Sequence, residues 1–287
     1  MASEKLIKRR MKSAKNISQI TRAMQMVAAS KMKKAQSLAL SGRPYAEKIA
    51  EMVKKFVARI DSSQHPLLQT NTEGKTLIVV ISTNKGLCGG LNTNLFRTLT
   101  STFNQEVLTS SIFVTVGKKG EQFVIKSSRS LLADFSQTIP FSKNIPSLTT
   151  LITEGYIKGE YKEVYVVYSN FLSALSQEPF IKRLLPLKEF VAKEITDKKQ
   201  EENEFLVEPS IDAILNDLLF HYLENQVRDA ILEAEASEHS ARMIAMKNAT
   251  DNAKELMRIL TLEYNKARQE KITYEIADMV TARLAVG

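Results

Sequence analysis

The two ends of this 287-residue chain lack the residues that stop helices. Met1 to Ser41 contains neither glycine nor proline, and Ser210 to Val286 runs 77 residues without either. All seven prolines and nine of the ten glycines fall between residues 42 and 209. At 1.5 Å rise per residue the C-terminal run has room for one helix of about 115 Å. Globular helices rarely pass about 25 residues, so such a run points to a coiled coil, a helical repeat or a membrane span. Asp212, Asp217, Glu224, Arg228, Asp229 and Glu233 exclude the span. A rod of this kind needs a partner helix, and the N-terminal run supplies one. Gly42 and Pro44 are expected to break or kink it.

Other shortages narrow the function. The single cysteine, Cys88, rules out an internal disulfide and fits a reducing compartment. His65, His221 and His239 sit on separate segments without ligand spacing, so neither a metal site nor a catalytic triad is expected. No stretch of 18 apolar residues occurs, and the N-terminus lacks the apolar block of a signal peptide. A transit peptide is not expected either, because the helical pattern continues past the usual cleavage length. There is no Phe, Tyr or Trp before Tyr45, which gives the basic N-terminal run no means of stacking on bases.

What the chain does have is an uneven charge. Residues 1 to 41 carry ten Lys or Arg against Glu4 alone, an excess that accounts for the net charge of +8. Ser210 to Val286 holds nine basic and thirteen acidic residues, so opposite signs meet if the two runs pair. Ten clustered cations also suit a nonspecific nucleic-acid binder, which steep salt-dependent retention on nucleic acid would reveal. The apolar residues have helical period. Ile17, Ile20, Met24, Val27, Ala28, Ala35 and Leu38 are expected on one side of the first helix. Leu215, Leu218, Leu219, Tyr222, Leu223, Val227, Ile231, Ala234, Ala241, Ala245, Ala249, Leu256 and Leu260 are expected to line the last. Its middle is small, so the pair buries little area there and needs a further grip.

The centre has a different period. Thr76 to Ser82 is a β-branched apolar run, the pattern of a strand covered on both faces. A glycine-rich turn, Gly86 to Gly90, and a helix from about Asn92 to Phe103 follow. Ser111 to Val116, Ser130 to Phe135 and Glu163 to Tyr168 read as further strands, with helices over Gly117 to Ile125 and Ser147 to Tyr156. Alternating strands and helices predict a parallel, Rossmann-like sheet. Leu184 to Val191 is expected as an edge strand and Lys193 to Glu204 as a polar connector. The domains are therefore 1–65, a helical segment; 66–209, the α/β domain; and 210–287, the long helix. The turn Asn84 to Asn92 matches neither G-x-x-x-x-G-K-[ST] nor G-x-G-x-x-G, so it reads as structural and not as a nucleotide loop. A nucleotide-binding enzyme would need a phosphate loop or an acid and base pair that this sequence does not offer.

Three segments carry a resemblance. Ile7 to Ser13 with Ile20-Thr21-Arg22-Ala23-Met24-Gln25-Met26-Val27-Ala28-Ala29-Ser30-Lys31-Met32-Lys33-Lys34-Ala35-Gln36 resembles the first helix of the gamma subunit of F-type ATP synthases. Gly86-Leu87-Cys88-Gly89-Gly90-Leu91-Asn92 is similar to that family's central motif, although Thr83-Asn84-Lys85 stands where Ser-Asp-Arg is usual. Ala236 to Ala253 and Leu262 to Gln269 resemble its C-terminal motif. The likeness implies an antiparallel coiled coil of the terminal helices carrying a central α/β domain. It implies a rotor: the shaft turns inside a ring of three alpha and three beta subunits, while the α/β domain sits beside the epsilon subunit and the membrane c-ring. It also implies one copy per complex, no catalytic, cofactor or metal site in this chain, no nucleic-acid partner, and a peripheral place on the cytoplasmic face of a bacterial plasma membrane. By matching positions, Met24 and Arg242 are expected at opposed shaft positions near the lower collar of the ring, and Arg268, Gln269 and Thr273 against a beta-subunit loop. Lys31, Lys33 and Lys34 are expected, from charge, to meet acidic loops of beta.

Overall fold

The computed structural model describes residues 4–57, 65–187 and 211–286, which fall into two compact units, Ser30–Ala241 and Met1–Ala29 with Arg242–Gly287. In chain order the elements are α1 (Glu4–Val57), β1 (Lys75–Ile81), α2 (Leu91–Thr102), α3 (Gln105–Ser110) and β2 (Ile112–Val116). They continue with α4 (Lys118–Lys126), β3 (Ser130–Asp134), α5 (Ile145–Ile157), β4 (Tyr161–Phe171), β5 (Gln177–Leu185) and α6 (Ile211–Val286). Short 3-10 turns cover Pro66–Leu68 and Phe141–Asn144.

The larger unit is built on one sheet in the order β3-β2-β1-β4-β5. Strands β1 to β4 run parallel, as the alternation of strands and helices predicts. The continuous apolar run of β1 has a simple reason. Leu77, Val79 and Ile81 face one core, completed by Ile152 of α5, Val53 of α1 and Leu219 of α6. Ile78 and Val80 face the other, with Leu95 and Leu99 of α2 and Val124 of α4. Burial on both faces leaves no polar side to the strand.

The edge strand differs from its expected place. It spans Gln177–Leu185 and runs antiparallel to β4, joined to it by a hairpin in which Leu172 and Ser173 N–H donate to the Ser176 carbonyl. Pro179 and the charged Glu178, Lys182 and Arg183 mask it in the sequence, yet an edge tolerates a proline that an inner strand does not. Residues 188–191 of the expected strand, and the connector Lys193 to Glu204, lie outside the described residues.

Helix α1 does not break where Gly42 and Pro44 suggest; it continues to Val57 with Pro44 inside it. The proline costs the local bond to the i−4 carbonyl, about 3 kcal/mol. Burial of Ile49, Val53, Phe56 and Val57 beyond it offsets that cost, helped by ion pairs from Arg43 to Glu47 and from exposed Lys48 and half-buried Lys55 to Glu51.

In the smaller unit the start of α1 and the last part of α6 pair antiparallel. Glu4 accepts a bond from the Tyr264 hydroxyl at 3.1 Å and lies 3.7 Å from Lys271 Nζ, while Thr21 meets Thr250. The numbers rise along one helix as they fall along the other. The seam of α1 is only partly the expected one. Ala28 is buried and Met24 half-buried, as expected, but Ile17, Ile20 and Val27 are 52–59% exposed, and the buried line is Ile7, Ala14, Thr21 and Ala28, spaced seven apart. Ser18 is buried and Met11 and Gln25 half-buried at the intervening positions, which completes a heptad. Within the larger unit Ala35 is buried as expected, while Leu38 is 49% exposed. On α6 the buried line is Met246, Thr250, Ala253 and Leu260, with Met257 and Tyr264 partly covered; Leu256, expected inside, is exposed. Side-chain size misleads here: close helix approach selects alanine and threonine for the seam and leaves the larger apolar groups outside.

Candidate subunit-coupling surface

The centre of the paired unit is polar. Thr21 and Thr250 hydroxyl oxygens stand 2.7 Å apart, both buried. Thr21 also reaches the Ile17 carbonyl at 2.9 Å, and Thr250 the Met246 carbonyl at 2.8 Å. One hydroxyl donates across the seam while the other donates back into its own helix, so both are satisfied and the register is fixed at this level.

Met24 lies one turn further along α1 than Thr21 and is half-buried, as is Arg242. The register that sets Thr21 against Thr250 brings Arg242 level with Ala29, roughly one and a half turns from Met24. The two are thus neighbours along the pair and not directly opposed. Arg268, Gln269 and Thr273 are all exposed. Gln269 and Thr273 share one face, and the Thr273 hydroxyl donates to the Gln269 carbonyl at 2.9 Å. Lys31, Lys33 and Lys34 are exposed and belong to the larger unit, where Lys31 is close enough to Glu235 to favour its charged form.

Sequence reasoning missed the apolar groups that the seam leaves outside. Ile17, Ile20, Met26 and Val27 are exposed on α1, and Ile272, Tyr274, Ile276, Met279, Val280 and Leu284 on the last turns of α6. Single exposed apolar residues are ordinary, but two helices carrying them in series form a surface suited to a partner. The signal was present as the heptad, which assigns those positions to the outside.

In the larger unit α6 carries charge into the interior. Asp229 and Glu233 stand beside a groove of about 680 Å³ between the α1 segment Gln36–Ala50 and α6. Burial pushes both carboxyls above their ordinary range, with Lys182 of β5 opposing the shift. Burial pushes Lys182 down and the hydroxyls of Tyr168 and Tyr222 up. Glu235 is raised by burial too, although its carboxylate accepts the Phe141 N–H at 3.2 Å.

The glycine-rich turn is a structural clasp. Leu87 and Gly89 take positive φ of 64° and 61°. Asn92 Nδ2 donates to the Thr83 hydroxyl at 2.8 Å and reaches the buried Cys88 sulfur at 3.4 Å. Asn84 donates to the Ser136 carbonyl and accepts from the Lys118 N–H, so it ties the ends of β1, β2 and β3 together. Among the described residues no helix is long and apolar enough to cross a membrane, and no group of His, Cys, Asp or Glu is placed to hold a metal.

Two long antiparallel helices carrying a Rossmann-like domain define the class, a coiled coil with an α/β insertion. The ATP synthase family model matches residues 3–286. The ATP synthase gamma chain of Dehalococcoides mccartyi is 43% identical over the full length of both chains, and that of Methylacidiphilum infernorum 42% over the full length of both. Among solved structures, a chain of the Tetrahymena thermophila mitochondrial ATP synthase central stalk and c-ring is 28% identical, covers 80% of this chain and 99% of its own, and has a TM-score of 0.58. A chain of the Euglena gracilis mitochondrial ATP synthase shares the fold at a TM-score of 0.66, with 21% identity over 99% of this chain and 94% of its own. The chain belongs to the ATP synthase gamma-chain family.

Proposed function

We propose that this chain is the central-stalk rotor of a bacterial F-type ATP synthase. It couples proton flow through the membrane c-ring to ATP synthesis or hydrolysis in the alpha and beta ring by rotation of its paired helices. The antiparallel seam, in register from Glu4 and Tyr264 to Thr21 and Thr250, carries this reading. Such a pair has different side chains on every side, so a ring of identical subunits around it meets a different surface at each one. Only differential contact of that kind biases the conformation, and so the nucleotide affinity, of each ring subunit.

The chain itself is non-catalytic on this reading: it supplies torque and the partners supply the chemistry. Segments 1–65 and 210–287 act as the shaft, and 66–209 as the domain that meets epsilon and the c-ring. One copy serves each complex, which lies at the cytoplasmic face of the plasma membrane. Met24, Arg242, Arg268, Gln269 and Thr273 contact the ring, and Lys31, Lys33 and Lys34 run against acidic partner loops. Exposure of the last six side chains, and the apolar residues beside them, supports these roles.

The test is assembly with alpha and beta subunits, with a bead fixed to the α/β domain. The complex should hydrolyse ATP and the bead should revolve; an active complex whose bead stays still refutes the rotor. Alanine at Arg268, Gln269 and Thr273 together should lower coupled turnover while leaving the unassembled chain's stability within about 0.5 kcal/mol, as exposed sites do. Neutralising Lys31, Lys33 and Lys34 without loss of coupled activity removes the ionic contacts.

A further inference from the structure

Open α/β sheets bind ligands in the crevice beyond the C-terminal ends of their strands, where the strand order reverses. Here the reversal lies between β1 and β4. That crevice is filled by the chain's own α6. Ala234, Glu235 and Glu238 stand against Ser82, Asn92 and Ser169 with only about 10 Å³ left between them. The filling is polar and specific. The Ser237 hydroxyl, fully buried, donates to the Ser169 carbonyl of β4 at 2.8 Å. The Ser240 hydroxyl, also fully buried, donates to the Ala174 carbonyl in the β4 to β5 turn at 2.6 Å, and accepts from Gln177 Nε2 at 3.2 Å. Glu235 receives the Phe141 N–H from the segment after β3. The segment after β3, strand β4 and the β4 to β5 turn are thus bonded to less than two turns of one helix.

We infer that this crevice is the torque joint between sheet and long helix, with Ser237, Ser240 and Glu235 as its positioning residues. The inference rests on the rotor reading and adds where the twist is handed over. Close packing of α6 in the core resists its rotation sterically, but apolar contacts are non-directional and set no preferred angle of their own. Hydrogen bonds have preferred angles and lengths, and a turning helix breaks them. Serines at 237 and 240, three apart, face the same side and hold the helix at two heights.

The experiment uses the full chain assembled with alpha and beta subunits, with a bead on Lys126→Cys, an exposed position of the sheet domain, and reads angular spread of the bead during each catalytic pause. Ser237→Ala with Ser240→Ala should broaden the spread, and Gln177→Ala, partly exposed and outside the core, should broaden it less. Thr100→Ala, which removes an exposed hydroxyl bonded within its own helix, should leave it unchanged. A double variant that assembles and pauses with wild-type spread overturns the joint and leaves the rotor standing. If the double variant does not assemble, Gln177→Ala decides by the same criterion. A wild-type complex that hydrolyses ATP without turning overturns the rotor, and the joint with it.

Discussion

Replacing Thr21 or Thr250 by valine removes one hydroxyl from the seam while keeping volume and branching. Thr250→Val takes away the cross-helix partner of Thr21 but leaves it the Ile17 carbonyl at 2.9 Å. Thr21→Val likewise leaves Thr250 the Met246 carbonyl at 2.8 Å. Neither change strands a buried hydroxyl, so each should cost about 1 kcal/mol, the net worth of an ordinary hydrogen bond, and not the larger penalty of an orphaned group. The bond between the helices can be lost only once. The double variant sets methyl against methyl in a buried site and should be no less stable than either single variant, a coupling energy of about 1 kcal/mol. Threonine and valine have similar helix propensity, so backbone effects cancel. Urea unfolding of the four full-length proteins, followed by helix content at constant m, measures the cycle. Additive losses in the double variant would show that the 2.7 Å contact contributes nothing of its own.

Two glycines inside helices should respond to alanine with opposite signs. At Gly42 an added Cβ meets nothing within 4 Å, so Gly42→Ala should stabilise the chain by about 0.5–1 kcal/mol in urea unfolding. At Gly155 it would lie 2.2 Å from the ring of Tyr161, itself buried and unable to swing away, so Gly155→Ala should destabilise by about 1–3 kcal/mol. Glu235 gives a pH signature. Burial raises its carboxyl above the unfolded value, so its contribution to stability is full below the unfolded pKa near 4 and is lost as pH rises through the folded one. Glu235→Gln keeps an acceptor for Phe141 and should therefore be the more stable form at neutral and alkaline pH. Thermal unfolding across pH should show that advantage shrinking as the medium is acidified, and an advantage growing with acid would contradict the assignment.

The strands were legible because β1, β2 and β4 are β-branched runs that need cover on both faces, and such runs admit few other structures. The clasp at Gly86 to Gly90 was legible as a turn for a related reason: it lacks the residues a phosphate loop requires. The edge strand was harder, since Pro179 and the charged Glu178, Lys182 and Arg183 resemble a loop when read locally, and only the hairpin with β4 makes them a strand. Pro44 misled in the same manner, because propensity is local while the burial of Val53 and Phe56 is not. The seam was the hardest. Size ranks Ile17, Ile20 and Val27 above Ala14, Thr21 and Ala28, yet the helices approach along the small residues. A strict count of sevens finds the line that hydrophobicity obscures. The proposed coupling positions came from the sequence by likeness alone; Arg268, Gln269 and Thr273 are exposed, as a partner contact requires. Ser237 and Ser240 carried no signal in the sequence, because a serine within an alanine-rich helix looks the same whether it faces water or a carbonyl.

A repeat of seven on a helix of 3.6 residues per turn winds the pair left-handed. The line Ile7, Ala14, Thr21 and Ala28 keeps that repeat throughout the paired unit. A wound pair is chiral, so it has no mirror response to load: one sense of twist adds to the winding and presses the alanines together, while the other unwinds it and draws them apart. On the rotor reading, synthesis and hydrolysis drive the same object in opposite senses, so its elastic compliance should differ between the two directions of work.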